Sequence, residues 1–307
     1  MLDRRTLLAS AGLLAATGTV ARAQAPAPAW RARYPELVFA IVPAENASGV
    51  TDRWTPFAEY LTRVLGTKVT LRVANDYAAV VEGQRSGTVH FASYGPASFA
   101  RALITQVPVT AFCIEVNEDG TKGYHSVFYV KKDSPYQTVQ DLRGKNLGLV
   151  DPNSTSGYNV PLFALDKMGI DAEQFFSHVV ITGSHENAVI ALQNGQVDVC
   201  ANWWNDANES NLRRMERKGM ARYDDFRIIF TSDLIVNSPM AYLNALPDEL
   251  KTAIRTAVLE LPQHDRAIFD RIYDGKGRPW EPTDNAAYQP VIELVQFVDR
   301  LQRRRRQ

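Results

Sequence analysis

Metal-binding and redox motifs are scarce in this chain of 307 residues, which has only two cysteines and five histidines. No CxxC, no HExxH and no metal-spaced histidine cluster occurs, so we expect no metal ion and no cofactor. Cys113 and Cys200 each lie in an apolar, strand-like context. That context favours buried thiols, and two cysteines alone do not make a disulfide framework.

An excess of charge of either sign is also absent, because 34 Lys and Arg balance 34 Asp and Glu. A protein that holds a nucleic-acid backbone needs a basic surface, so we expect no nucleic-acid partner. Beyond the first residues, no apolar run is long enough to cross a bilayer. The remaining chain is long enough for one large or two medium domains with a sizeable core.

The first 23 residues are typical of a signal peptide. A basic pair, Arg4-Arg5, precedes an apolar run over residues 7–20, and Ala21-Arg22-Ala23 fits a small-x-small cleavage site. The paired arginines favour the twin-arginine export route, although an ordinary secretory signal could also carry two arginines. We expect cleavage after Ala23 or Ala25 and a mature protein in the periplasm.

Strand-like and helix-like segments alternate along residues 37–104 and again along residues 142–218. This alternation predicts two α/β units, each a mainly parallel sheet covered by helices. In the first unit, Trp54–Leu65 has helical spacing, with Thr55-Pro56 at its start. The C-terminal part is predicted to be mostly helical, with helices over residues 248–261, 264–273 and 288–301.

Two strand-like segments, near residues 110–117 and 228–240, are predicted to cross between the units. We therefore expect lobe 1 to comprise residues 30–116 and 237–307, and lobe 2 to comprise residues 117–236. Ligands of open α/β sheets bind outside the carboxyl ends of the strands, so the site should lie in the cleft between the lobes.

One such strand end carries the stretch Asp151-Pro152-Asn153-Ser154-Thr155-Ser156-Gly157. It follows an apolar strand and precedes a helix-like run. A helix N-terminus offers unpaired backbone N–H groups and a partial positive charge, and clustered hydroxyls add neutral donors. The stretch predicts a site for a small tetrahedral oxyanion, although a plain Ser/Thr helix cap is the simpler interpretation.

Segments spread along most of the chain resemble one known family: Trp54-Thr55-Pro56-Phe57, Asp76-Tyr77-Ala78, Ser93-Tyr94-Gly95, Gly123-Tyr124, Asp151 to Gly157, His185-Glu186 and Gln196 to Val199. Together they resemble the phosphonate-type periplasmic solute-binding proteins of ABC importers. The resemblance runs from about Leu37 to about Pro239. It implies a type-2 periplasmic-binding fold, with two α/β lobes joined by two hinge strands and a ligand cleft between them. It also implies a monomer that is not an enzyme and that delivers phosphite, methylphosphonate or a similar anion to an inner-membrane ABC permease.

The resemblance also implies which residues bind the anion: Ser154, Thr155 and Ser156 with their backbone N–H groups, together with Tyr77, Tyr94 and His185. A second group of candidate ligand-binding residues comprises Cys113, His125, Asn205 and Ser238. Each has a structural interpretation as well, since a tyrosine is often half-buried packing and a lone histidine is often a helix cap.

A departure from the family bears on the ligand. Family members that take aminoalkyl phosphonates have carboxylates that hold the ligand ammonium, whereas the matching positions here are Asn205 and Ser238. Only Asp206 is near Asn205, and no carboxylate is near Ser238 in the sequence. Because an ammonium buried without an anion is costly, we expect poor affinity for aminoethylphosphonate.

Two other functions remain open from the sequence. One is a periplasmic arsenite-binding sensor of the same fold, which would use Cys113 and signal to a membrane histidine kinase. The other is an exported hydrolase using Ser154 and His185, but the chain has no Gly-x-Ser-x-Gly motif and no evident third residue to orient the histidine.

Overall fold

Two six-stranded sheets organise residues 27–305, the part of the chain that this computed structural model describes. The predicted signal peptide lies outside the described residues. The strands are β1 Glu36–Ile41, β2 Lys68–Val73, β3 Phe91–Ser93, β4 Val109–Asn117, β5 Gly123–Lys131, β6 Asn146–Leu149, β7 His178–Ile181, β8 Val199–Trp204, β9 Phe226–Thr231, β10 Ile235–Val236, β11 Pro239–Leu243 and β12 Gly277–Pro282. The helices are α1 Trp30–Arg33, α2 Ala47–Leu65, α3 Tyr77–Arg85, α4 Pro96–Ile104, α5 Val160–Lys167, α6 Ala172–Phe175, α7 His185–Gln193, α8 Asn211–Arg217, α9 Asp248–Leu259, α10 Leu261–His264, α11 Arg266–Tyr273 and α12 Gln289–Arg305.

The first sheet has the order β12-β4-β11-β3-β1-β2 and the second the order β10-β5-β8-β6-β7, with β9 paired to β5. In each sheet the core strands are parallel, as β1 is to β2 and β3, while the strands nearest the crossings are antiparallel. We call the first sheet with its helices lobe 1 and the second lobe 2. The chain passes from lobe 1 to lobe 2 between β4 and β5, and returns between β10 and β11.

This is the predicted type-2 periplasmic-binding fold, with two α/β lobes and two crossings. The residue boundaries assigned to the lobes stay a prediction. The last helix, α12, contacts both lobes, because Val291 and Val295 pack on α4 while the Phe297 ring lies 5.3 Å from that of Phe163 on α5.

The helix predicted over Trp54–Leu65 begins seven residues earlier, at Ala47, so its predicted start is wrong. Pro56 therefore lies inside α2, where its missing N–H leaves the carbonyl of Asp52 without a helical donor. The Arg271 side chain supplies one, since its Nε donates to the Asp52 oxygen at 2.8 Å. This replacement partner explains how the helix accommodates an internal proline that the sequence pattern places at its start.

The C-terminal prediction is also corrected in part. The two helices expected over residues 248–273 are three, because the chain breaks after Leu259 and again at Asp265, which caps α11 by accepting from Ile268 N–H at 3.2 Å. Strand β12 was not predicted. It adds to the edge of β4, and its Trp280 packs against Phe57 of α2 at a ring distance of 5.7 Å.

Within residues 27–305, the structure contains no helix that is both long enough and apolar enough to cross a membrane.

Candidate functional site

A cavity of about 160 Å³ lies between the two lobes and is lined by residues of both. Three helices point their N-termini at it, since Tyr77 is the first residue of α3, Gly95 immediately precedes α4 and His185 is the first residue of α7. Helix N-termini carry partial positive charge and free N–H groups. The cavity is therefore suited to an anion even where no cationic side chain faces it.

The predicted oxyanion loop forms one wall of this cavity. Ser154, Thr155 and Ser156 all line it and are each at most 2% exposed. Residues 155–159 form a π-helical turn that leads into α5, and the Ser154 Oγ caps this turn by accepting from Gly157 N–H at 3.1 Å. Asn159 Nδ2 donates to the carbonyl oxygens of Pro152 and Ser154 at 2.9 and 2.8 Å. The loop is thus held rigid from within, as a preorganised site requires.

Gly157 is required in this loop by a close approach of the backbone to Val150, the residue that follows β6. A Cβ at this position would lie 2.4 Å from Val150 Cγ2 and 2.8 Å from the Ser154 Oγ. No side chain fits there unless the loop moves away from the sheet. The glycine therefore sets where the three hydroxyl residues stand.

The loop also contacts the opposite lobe. Thr155 Oγ1 accepts a hydrogen bond at 2.8 Å from the N–H of Ala97, in the first turn of α4. The Tyr77 hydroxyl, at the start of α3, is within hydrogen-bonding reach of the Ser154 hydroxyl. Lobe 1 therefore supplies donors to the same small region as the hydroxyls of lobe 2, which is the geometry of a ligand clamp.

His185 is placed beside the loop, as predicted. Ser184 caps α7 by accepting from Asn187 N–H at 3.1 Å, which fixes His185 as the first helical residue. Its Nε2 lies 3.4 Å from the Ser154 Oγ, and no hydrogen-bond partner for its buried Nδ1 is found among residues 27–305. Burial lowers the pKa of His185 to about 3, so the imidazole is neutral at neutral pH and acts as a hydrogen-bonding group rather than as a cation.

The structure assigns different roles to two tyrosines than the sequence suggests. Tyr94 lines the cavity, but its hydroxyl donates to Gln84 Oε1 on α3 at 2.6 Å and is committed to the protein. Tyr124, which was not predicted as a site residue, also lines the cavity and has its hydroxyl within hydrogen-bonding reach of Thr155 and Ser156. Burial raises the pKa of Tyr124 to about 12, so it remains a neutral donor.

Of the second group of candidates, two residues line the cavity and two do not. Asn205 and Ser238 line the cavity, where Asn205 Nδ2 donates to Asn117 Oδ1 at 3.1 Å. Cys113 and His125 do not line it. The Cys113 side chain is 1% exposed and burial raises the pKa of its thiol well above the usual range, while His125 Nδ1 lies 2.8 Å from the carbonyl oxygen of Ser232.

Three glutamates that the sequence analysis did not predict as site residues also line the cavity: Glu45, Glu115 and Glu209. Although no carboxylate is near Ser238 in the sequence, Glu115 on β4 is its neighbour across the strands in the fold, with Glu115 N–H donating to the Ser238 oxygen at 3.3 Å. A sequence signal for it exists, since Glu115 is the one charged residue in the apolar run Val109–Val116.

A group of ion pairs joins the two lobes at the cavity rim. Lys218 of lobe 2 contacts Glu45 of lobe 1 at 2.6 Å and Glu186 of its own lobe at 2.7 Å. Arg217 of lobe 2 likewise reaches Asp274 of lobe 1 at 2.8 Å. The Glu45 and Glu186 side chains are at most 8% exposed. Since Lys218 bridges them from one lobe to the other, the contact with Glu45 forms only when the lobes are closed.

Over most of its length, this chain is similar to known proteins of one family. Residues 39–288 match the family model described as ABC transporter, phosphonate, periplasmic substrate-binding protein. The Phosphonates-binding periplasmic protein of Escherichia coli is 30% identical over 270 residues, covering 86% of this chain and 77% of that protein. The Phosphate-import protein PhnD of Mycolicibacterium smegmatis is 30% identical over 232 residues, covering 73% and 71%. A solved binding protein component of an ABC phosphonate transporter from Pseudomonas aeruginosa superposes with a TM-score of 0.77 at 27% identity, covering 87% of both chains.

The two tyrosines provide a test of the site. Tyr124→Phe removes a donor beside the loop, so we expect it to weaken binding of phosphite and methylphosphonate by about tenfold or more, which corresponds to one lost hydrogen bond to a charged ligand. Tyr94→Phe is the matched control, since its hydroxyl bonds Gln84, and its affinity should stay within about twofold. Titration calorimetry measures both variants. Equal losses in the two would contradict the assignment.

The ion pairs at the rim provide a second test. Lys218→Met leaves Glu45 and Glu186 short of a partner when the lobes close, so the closed form becomes less stable relative to the open one. Because a ligand that binds the closed form loses affinity as that form becomes rarer, we expect roughly threefold or more weaker binding without a change at the anion site. Small-angle scattering should show a more open free protein. Lys132→Met, at an exposed lysine, is the control. Identical scattering and affinity in both variants would show that the ion pairs of Lys218 do not favour closure.

Proposed function

We propose a ligand and a partner for this chain, which belongs to the periplasmic substrate-binding proteins of phosphonate ABC transporters. The protein captures phosphite or a phosphonate with a short substituent in the cavity between its lobes. It then delivers this ligand to an ABC permease in the inner membrane. The observation that carries the proposal is the rigid loop of three buried hydroxyl residues, with His185 and two tyrosines beside it and helix N-termini around it.

The chemistry of this wall favours a phosphorus oxyanion. The anion would be held by hydroxyls, backbone N–H groups and a neutral imidazole, which together offer many donors at fixed positions. Such donors suit a tetrahedral group with three terminal oxygens better than a flat carboxylate. The relatives named for phosphonates and phosphate support the same ligand class.

Closure of the lobes provides the mechanism. Tyr77 and the N-terminus of α4 belong to lobe 1, whereas the hydroxyl loop, Tyr124 and His185 belong to lobe 2. A ligand that bonds both sets binds the closed form better than the open one and so shifts the population toward it. We infer that the permease recognises the closed, loaded form.

The sensor alternative finds less support. A thiolate ligand for arsenite would have to reach the cavity, but Cys113 is 1% exposed, does not line the cavity and has a thiol pKa raised by burial. Proteins of this family bind solutes and are not themselves enzymes. Import of a bound anion is therefore the function that the site supports best.

Removing hydroxyls from the loop tests the proposal. Ser154→Ala combined with Thr155→Ala should lower the affinity for phosphite and methylphosphonate by well over tenfold, because each lost bond to a buried anion contributes roughly 1–3 kcal/mol. Calorimetry on the mature protein measures the change.

Ser134→Ala serves as the control, since that hydroxyl bonds the Lys131 carbonyl away from the cavity. Unchanged binding in the double variant would remove the loop from the anion site, and failure of the wild type to bind either anion would reject the proposed function.

A further inference from the structure

Glu115 differs from the other two glutamates of the cavity in having no ion-pair partner among the described residues. Glu45 contacts Lys218 at 2.6 Å and Arg53 at 3.2 Å, and Glu209 contacts Arg214 at 2.6 Å and Arg217 at 2.7 Å. For Glu115, no ion pair within 4.0 Å occurs in residues 27–305, and the Tyr273 hydroxyl is the side-chain group that lowers its pKa by hydrogen bonding. It is a carboxylate in the cavity wall that the protein leaves without a counter-charge.

The position of Glu115 is firmly fixed by its backbone. Its N–H donates to the Ser238 oxygen at 3.3 Å, and its carbonyl accepts from Asn237 Nδ2 at 3.0 Å. These contacts join β4 to the return crossing before β11, so the carboxylate stands between the two crossings. Its hydroxyl partner Tyr273 is held in turn by Trp280, whose Nε1–H donates to the Tyr273 oxygen at 2.6 Å.

The surroundings of Glu115 contain few charges that are free to neutralise it. Burial raises its pKa to about 7, while Arg214 and the bond from Tyr273 act in the opposite direction. Arg214 is already paired with Glu209 and Lys276 with Glu118 at 3.5 Å. The titratable and charged groups around Glu115 are Tyr273 of α11, Arg214 of α8, Tyr124 of β5, Cys113 of β4, Tyr288 before α12 and the cavity residues Lys276, Glu45 and Glu209.

We propose that Glu115 determines which substituent the phosphonate carries, by accepting hydrogen bonds from a cationic amine at the end of a short tail. This rests on the proposed function, since the hydroxyl loop must hold the phosphonate group. Glu115 then supplies, from β4, the carboxylate that Asn205 and Ser238 lack. The ammonium provides the missing counter-charge, and burying the two opposite charges together offsets much of the cost of desolvating each. Poor affinity for aminoethylphosphonate is accordingly no longer expected.

A matched pair of ligands tests this on the wild-type protein. 2-Aminoethylphosphonate and propylphosphonate have tails of equal length, and differ in an ammonium against a methyl group at the end. We expect calorimetry near pH 7.5 to show at least tenfold tighter binding of the amine, the size of one charge-assisted interaction. Equal binding, or tighter binding of propylphosphonate, would overturn the assignment while leaving the proposed function in place.

The variant Glu115→Gln keeps the size of the side chain and removes its charge. It should lose at least tenfold in affinity for the amine and change by less than about threefold for propylphosphonate. Glu173→Gln, at an exposed glutamate, makes the same change in net charge and should alter neither affinity. Equal losses for both ligands in Glu115→Gln would show a structural role only, and no loss for the amine would exclude contact with it.

The pH dependence of the affinity for 2-aminoethylphosphonate distinguishes a charge contact from a purely structural role, which would not change with pH. The ionised carboxylate binds the ammonium, so the affinity ratio of wild type to Glu115→Gln for 2-aminoethylphosphonate should rise as pH increases from 6 to 8, while ligand ionisation is common to both proteins. A flat ratio contradicts the proposal.

Should Glu115→Gln not fold, Glu115→Asp provides the comparison, with a reduced preference for the amine expected. If wild type binds phosphite or methylphosphonate but neither of these two phosphonates, this inference fails alone, whereas the proposed function also fails only if phosphite and methylphosphonate do not bind.

Discussion

The hydrogen bond from Ala97 N–H to Thr155 Oγ1 shows the constraint on which the site depends. It joins the N-terminus of α4 in one lobe to the hydroxyl loop of the other, so the anion site is complete only when the lobes meet. The loop can make this contact because Gly157 lies against Val150 and leaves no room for a side chain. The chain thereby turns two separate sheets into one site whose integrity reports whether the cleft is closed.

Charge is divided across the cavity in a way that favours selectivity. The wall built from the hydroxyl loop, Tyr124 and His185 offers neutral donors, whereas Arg214 is engaged by Glu209. An anion therefore gains affinity through the number and placement of its hydrogen bonds rather than through net charge. Some of the other charged residues pair across the rim, as Lys218 does with Glu45. Among the three cavity glutamates, Glu115 is the one without an ion-pair partner in residues 27–305, and we propose that it faces a substituent on the anion.

The sequence predicted the fold class, and it predicted the loop and His185 at helix starts, because these features depend on local pattern, while their part in anion binding stays a prediction. Alternating segments report the parallel sheets, and Asp76 and Ser184 cap the helices that begin at the cavity. Where a tyrosine hydroxyl points depends on residues distant in sequence. The Tyr94 hydroxyl bonds Gln84 of α3, and Tyr124 lines the cavity because of its place on β5. Glu115 and the rim pairs depend on contacts between distant residues, such as Glu45 with Lys218, which periodicity and caps do not encode.

The most direct test of the central claim is a crystal structure of the protein from residue 24 onward with methylphosphonate. We expect the phosphonate oxygens within hydrogen-bonding distance of Ser154, Thr155, Ser156, Tyr77, Tyr124 and His185, with the lobes closed around them. The methyl group should point toward the Glu115 side of the cavity. A phosphonate bound instead on Arg214 or Lys276, or on the outer surface with the hydroxyl loop unengaged, would contradict the account.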